Sequence, residues 1–356
     1  MQLGMIHQQE LQRSRAQKKQ AGKAFSMAIA FSALMLSILL AYSFIDADVY
    51  KNICHALADA LAYIISGVSN LSFEHVKNSA LAMMGTEVFA VCFNIFTYLF
   101  SLIFPFAILS KAAGIRPRQA FHVNSDCPNK FWLYIPFGLG AGYTVNLIVR
   151  LIFGGLLDRF IETDTQLPQT VAGIILYFIM IAFLPAIFEE WAFRGVLLRA
   201  LLPYGQTFAL VVSSVIFGLM HVNPPQAAFA TCFGIVAGFI YIKTGSIWYG
   251  ALIHLLNNAY TVFTAYTLQF KGSENPLVIV ESTFVFGAIA CFIVGLILFI
   301  RSGFFKTSIM HSVAPPDKPK LSIKQYFSLS LANVFTALFV IIYVVVLIVR
   351  YFPEYL

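Results

Sequence analysis

Of the seven histidines and sixteen acidic residues in this chain, only His221, His254, Glu87, Glu189, Glu190 and Glu281 fall inside long apolar stretches. An ionisable side chain at bilayer depth costs about 3 kcal/mol on insertion scales, so it faces a protein interior or a wet cavity and marks a place where chemistry is done. Glu87 and Glu281 lie near the ends of their stretches, where headgroups and water are in reach, and read as interfacial carboxylates. The remaining four are the residues with no cheap reason to be where they are.

Glu189 and Glu190 belong to the run FEEWAFRG. On a helix, Arg194 lies four residues after Glu190 and shares its face, whereas Glu189 is turned about 100° away. One carboxylate is therefore neutralised structurally and the other stays available, unless the pair is only a helix-end ion pair at the cytoplasmic surface. Pro185 just upstream cannot donate a backbone hydrogen bond and should kink this helix. In FGLMH, Phe217 and His221 stand four apart on one face, and the helix must end before Pro224 and Pro225. A histidine in a last helical turn can be tuned towards working pH. In HLLNN, His254 and Asn258 are again four apart, two hydrogen-bond donors that could hold an oxyanion or could bind neighbouring helices together.

The elements that position these groups follow from composition. The chain is 59% apolar and 11% charged, with a mean hydropathy of +0.80, against roughly 25% charged residues in a soluble domain. Nine candidate spans, each near the roughly 20 residues that cross a bilayer, are 24–45, 79–109, 131–157, 171–202, 207–222, 227–242, 246–266, 278–300 and 326–350. Lipid admits helices or closed barrels, and continuous hydropathy is not the alternating signal of a barrel. The expected fold is all-α and polytopic. The stretch 53–68 reads as a surface helix.

Most of the 23 basic residues then fall on one side: Arg13 to Lys23, Lys111 to Lys130, Arg194 and Arg199, Lys243, and Arg301 to Lys324. The positive-inside rule puts the amino terminus in the cytoplasm and the carboxyl terminus outside. Basic residues spread over loops form no single patch for nucleic acid, despite the net charge of +7. The first apolar run is too long for a cleavable signal peptide. Cys54, Cys92, Cys127, Cys232 and Cys291 form no CxxC pair and suggest neither a disulfide framework nor a thiolate metal site. The organisation expected is a basic cytoplasmic segment 1–23, amino-terminal spans in 24–170, a chemical core at 171–266, a following span in 267–300, a cytoplasmic linker 301–325 containing HSVAPPDKPK, and a carboxyl-terminal span in 326–356.

The three elements EExxxR, FxxxH and HxxxN, in that order on separate apolar segments, resemble the CPBP intramembrane protease family, which includes the type II CAAX prenyl endopeptidases and bacterial proteins linked to bacteriocin processing and self-immunity. Every motif position is filled: Glu189, Glu190, Arg194, Phe217, His221, His254 and Asn258. The resemblance covers roughly 171–265 and leaves the flanking spans unexplained. It implies an integral membrane endopeptidase of the cell membrane acting on a membrane-associated protein or peptide. Glu189 with His221 would activate water, His254 and Asn258 would stabilise the oxyanion, and Glu190 and Arg194 would hold the helix. The family is commonly called a metalloprotease family, and zinc could be held by His221, His254 and Glu189. HExxH is absent, however, and a metal would occupy the groups the oxyanion role needs, so metal-free glutamate catalysis is preferred. A catalytically silent binding or immunity protein and a proton-coupled transporter are the competing classes; the transporter would call for internal repeat symmetry, which the sequence does not display.

At 1.5 Å per residue, His221 lies roughly 21 Å and His254 roughly 12 Å from the inner ends of their spans. Glu189 reaches a comparable roughly 20 Å only if its helix continues to Leu202.

Overall fold

The computed structural model describes residues 2–43, 47–121, 131–157, 167–269, 276–301 and 332–352, with the isolated positions 322, 325 and 328. Among them there is no strand, and the protein is an all-α membrane protein. In chain order the helices are α1 (Gln2–Ser43), α2 (Ala47–Val68), α3 (Phe73–Met84), α4 (Glu87–Ala112), the short α5 (Pro117–Ala120), α6 (Phe131–Leu157), a continuous helical stretch α7 (Val171–Tyr204), α8 (Gln206–Leu219), α9 (Pro224–Thr244), α10 (Trp248–Gln269), α11 (Pro276–Arg301) and α12 (Val334–Tyr351).

Five of these are long and apolar enough to cross a membrane: Ser14–Tyr42 within α1, α4, α7, α9 and α12. Three shorter apolar helical segments, Tyr134–Val149, Gln206–Leu219 and Ser282–Leu298, accompany them. The stretch expected to run unbroken over 79–109 is instead two helices. Gly85 closes α3, and the Thr86 side chain accepts from Phe89 N to open α4. A capping hydroxyl at that point satisfies the first-turn donors and lets the chain change direction. The stretch read as a surface helix is α2, which pairs with α3 through Cys54, Ala58, Ala80 and Met84. Across that pair Asp59 accepts from Lys77 at 2.6 Å, and this bond holds the ammonium pKa above the usual lysine value. The linker motif at 311–320 and Cys127 lie outside the described residues. The other four cysteines are free thiols.

The surface is the inverse of a soluble protein's. Phe96, Phe100 and Phe104 stand 66%, 49% and 45% exposed and stack along one face of α4 with centroids 6.3 and 5.4 Å apart. Such a ladder suits acyl chains. By contrast, residues 191–198 of α7 are all buried, packed among Phe106, Phe217, Ile240 and Ile253. The helix that carries both glutamates is thus central, and α4, α8 and α10 pack around it.

Two stretches of α7, Ile179–Phe183 and Trp191–Leu198, adopt the wider turn with i→i+5 hydrogen bonds. They flank Pro185, Glu189 and Glu190. Wide turns inside helices concentrate at functional sites because they displace side chains and free backbone groups. The helix does not leave its path at Phe188; helical turns continue to Tyr204, which meets the depth condition for Glu189 to approach His254.

Candidate active site

Glu190 and Arg194 are 0% and 2% exposed, and Arg194 Nη1 donates to Glu190 Oε1 at 2.8 Å. The guanidinium also lies over the Phe217 ring, 4.4 Å from its centroid. A buried ion pair gains little net stability, but breaking it leaves a charge stranded in an apolar medium. Glu190 has a second partner in His254 Nδ1 at 3.3 Å. Gly250, one turn before His254, permits this approach: a Cβ there would lie 2.7 Å from Glu190 Oε2. Glu190 is therefore committed to joining α7 to α10.

Glu189 faces differently. The Tyr98 hydroxyl on α4 donates to its Oε1 at 2.7 Å, while Oε2 makes no hydrogen bond and lies 3.8 Å from His254 Nε2. Because a carboxylate only accepts, the Nδ1 of His254 that faces Glu190 carries a hydrogen. The imidazole thus bridges two carboxylates, one bonded and one merely near. His254 is packed edge-on to Phe217 and tilted against Phe233, so its ring plane is held.

His221 follows the end of α8, its Nδ1 placed 2.9 Å from the Phe217 carbonyl oxygen. A carbonyl also only accepts, so Nδ1 carries the hydrogen and Nε2 offers the lone pair. His221 is within electrostatic reach of Glu189 and His254. Directly after it, Val222 has φ 56°, the one positive-φ residue other than glycine among those described. A β-branched residue is strained there, and the tight turn is closed by Asn223 N donating to the His221 carbonyl at 2.6 Å. Asn223 then caps α9 through Gln226 N, with Pro224 and Pro225 in the first turn.

Asn258 Nδ2 donates to the Ile181 carbonyl at 2.9 Å. Pro185 stands four residues beyond Ile181 and has no N–H to return to that carbonyl. The side chain on α10 thereby serves an acceptor that Pro185 cannot serve from the i+4 position. Asn257 Nδ2 in turn donates to Asn258 Oδ1 at 3.0 Å, which orients the carboxamide and leaves its second N–H free of these two bonds.

Of the residues singled out by sequence, Glu189, Glu190, Arg194, Phe217 and His254 form one contact network, His221 joins it through Phe217, and Asn258 reaches it through the backbone of α7. Glu87 is elsewhere: it accepts from the Gln169 and Thr170 backbone N–H groups and from the Thr170 hydroxyl, pinning α4 to the start of α7. Tyr98, Pro185 with Ile181, and Gly250 were not identified from the motifs as partners of the site; for Tyr98 the only trace in sequence is a polar residue within an apolar run. Among the described residues no group of three or more His, Cys, Asp or Glu side chains is gathered as a metal-ligand set, and both His254 nitrogens face carboxylates. The geometry does not fit the three-ligand zinc site considered above.

Residues 171–260, which contain every one of these motif positions, match the family model for Type II CAAX prenyl endopeptidase Rce1-like. This segment, about a quarter of the chain, is thus similar to that family in the region that carries its motifs. Among the curated proteins, the chain is similar to one named "Putative membrane peptidase YdiL" of Bacillus subtilis (strain 168), 29% identical over 146 residues. That match covers 38% of this chain and 57% of the relative, so the chain spans little more than half of that protein's length. No solved structure matches.

Proposed function

We propose that the chain is an intramembrane endopeptidase that hydrolyses a peptide bond of a membrane-associated protein or peptide in a cavity of the helical bundle. The observation that carries this reading is the different company of two adjacent glutamates: Glu190 Oε1 is held by the Arg194 guanidinium and His254 Nδ1, whereas Glu189 has no cation bonded to it, its Oε1 accepting from the Tyr98 hydroxyl and its Oε2, without a hydrogen bond, lying 3.8 Å from His254 Nε2. The ion pair with Arg194 uses one carboxylate, and the second is outside it.

In the reaction, Glu189 takes a proton from water as the water oxygen bonds to the scissile carbonyl carbon and the carbonyl π pair moves onto oxygen. His221 Nε2, free because Nδ1 is held by the Phe217 carbonyl, accepts from the same water and aims it. The oxyanion receives hydrogen bonds from the second N–H of Asn258 and from His254, which must then carry a hydrogen on Nε2 as well as on Nδ1. Collapse of the intermediate breaks the C–N bond, and the proton held by Glu189 passes to the leaving nitrogen. Glu190 and Arg194 keep their charges paired throughout. The three-ligand zinc arrangement does not fit these residues, so no step is routed through a metal.

The decisive experiment is mapping of membrane peptides by mass spectrometry from cells carrying the wild-type chain or Glu189→Ala. New termini present only with wild type are expected; identical peptide sets would sink the reading.

The same reading retains nine crossings in the cell membrane with the amino terminus inside, on the strength of the basic-residue bias. Of the loops involved, residues 122–130 and 158–166 lie outside the described residues. Cysteine-accessibility labelling at the exposed position 118, in the loop near 120, and at position 165 is expected to report opposite sides of the membrane, and labelling from one side would overturn this topology.

A further inference from the structure

One donor at the site comes from outside the motif-bearing segment. Tyr98 lies on α4, 91 residues before the glutamate it serves, and belongs to none of the three motifs. Its hydroxyl is placed by anchors on either side of it along α4. Before it, Glu87 is tied to Gln169 and Thr170 at the start of α7. After it, Phe106 packs against Phe193 of α7 with centroids 5.1 Å apart. The phenol oxygen therefore sits on a seam held on both sides.

The terminal torsion of a glutamate is broad, so the plane of its carboxylate is loosely set unless one oxygen is held. Here one is bonded and the other is not. Oε1 accepts from Tyr98 at 2.7 Å, and Oε2 is buried without a hydrogen bond.

We propose that Tyr98 is a positioning residue for the hydrolysis described above: by holding Oε1 it makes Oε2 of Glu189 the atom that receives the proton of the attacking water. The inference rests on Glu189 being the base. Tyr98 touches neither water nor substrate in this scheme; it acts through the carboxylate. A hydroxyl that only filled space would leave the carboxylate's orientation, and so turnover, unaffected by its removal.

The test is steady-state cleavage by the purified full chain in detergent, using a peptide identified by the terminus mapping. Tyr98→Phe removes one oxygen atom and is expected to lower kcat about tenfold to a hundredfold, the rate equivalent of one hydrogen bond to a charged group. KM should stay within about twofold, because the interaction serves the reacting state rather than substrate binding. Incorporation of 3-fluorotyrosine at position 98, which keeps the hydroxyl, is expected to keep turnover near that of wild type. A wild-type kcat in Tyr98→Phe, or an equal fall in the 3-fluorotyrosine protein, would overturn the proposal. Glu189→Gln assayed beside it separates the two readings. If that variant is inactive while Tyr98→Phe is normal, only the role of Tyr98 fails; if Glu189→Gln still cleaves, the base assignment itself fails.

Discussion

Glu189→Gln is expected to abolish measurable peptidase activity while leaving membrane insertion and thermal stability near those of wild type. The amide keeps the shape of the side chain and still presents a carbonyl oxygen to the Tyr98 hydroxyl, but it cannot take a proton from water. Loss of a positioned general base typically costs about 10² to 10⁴ in rate. The neighbouring substitution is expected to behave in the opposite way. Glu190→Gln leaves Arg194, 2% exposed, without its countercharge, and breaking a buried pair by removing one member typically costs about 3 to 5 kcal/mol of stability. Turnover of both variants and their unfolding midpoints in detergent, measured side by side, distinguish base from ion-pair partner. Near-normal turnover in Glu189→Gln would remove it as the base.

Asn258→Ala is expected to lower turnover about 10²- to 10³-fold, the usual cost of losing one oxyanion donor, with a much smaller effect on KM. It should also lower stability by about 1 to 3 kcal/mol, because the Ile181 carbonyl loses the donor that Pro185 cannot supply. These two effects have separable origins. Pro185→Ala restores a backbone N–H opposite Ile181, so in the double variant Pro185→Ala/Asn258→Ala the unfolding midpoint should recover while turnover stays low. Recovery of both would make Asn258 a structural bridge only. His254→Ala should show a comparable turnover defect, since it removes the ring between Glu189 and Glu190. Metal analysis of wild type and a chelator series complete the measurement. Stoichiometric zinc that vanishes in His254→Ala, with chelator-sensitive turnover, would replace the oxyanion assignment with a ligand one.

The features legible in the sequence were those that depend on local geometry. Apolar runs of bilayer length announce membrane helices because hydropathy is summed over neighbours in the chain. Spacing of four residues puts Glu190 with Arg194 and His221 with the turn of Phe217, and both contacts are present. Pro185 signals an interrupted helix for a reason internal to its own ring. Family resemblance likewise rested on residues 171–265, where the motifs stand in order.

Tertiary structure decided what each face meets. Helical periodicity says that His254 and Asn258 point the same way, but not that one lies between two carboxylates while the other repairs a carbonyl on α7. The break at Thr86 went unread because the apolar run continues across it, and a capping hydroxyl is a small signal within strong hydropathy. Nothing local links Tyr98 to Glu189. Their bond exists because Glu87 and Phe106 fasten α4 to α7 on either side of it, and such long-range packing is set by the shapes of many side chains at once rather than by the spacing of any few.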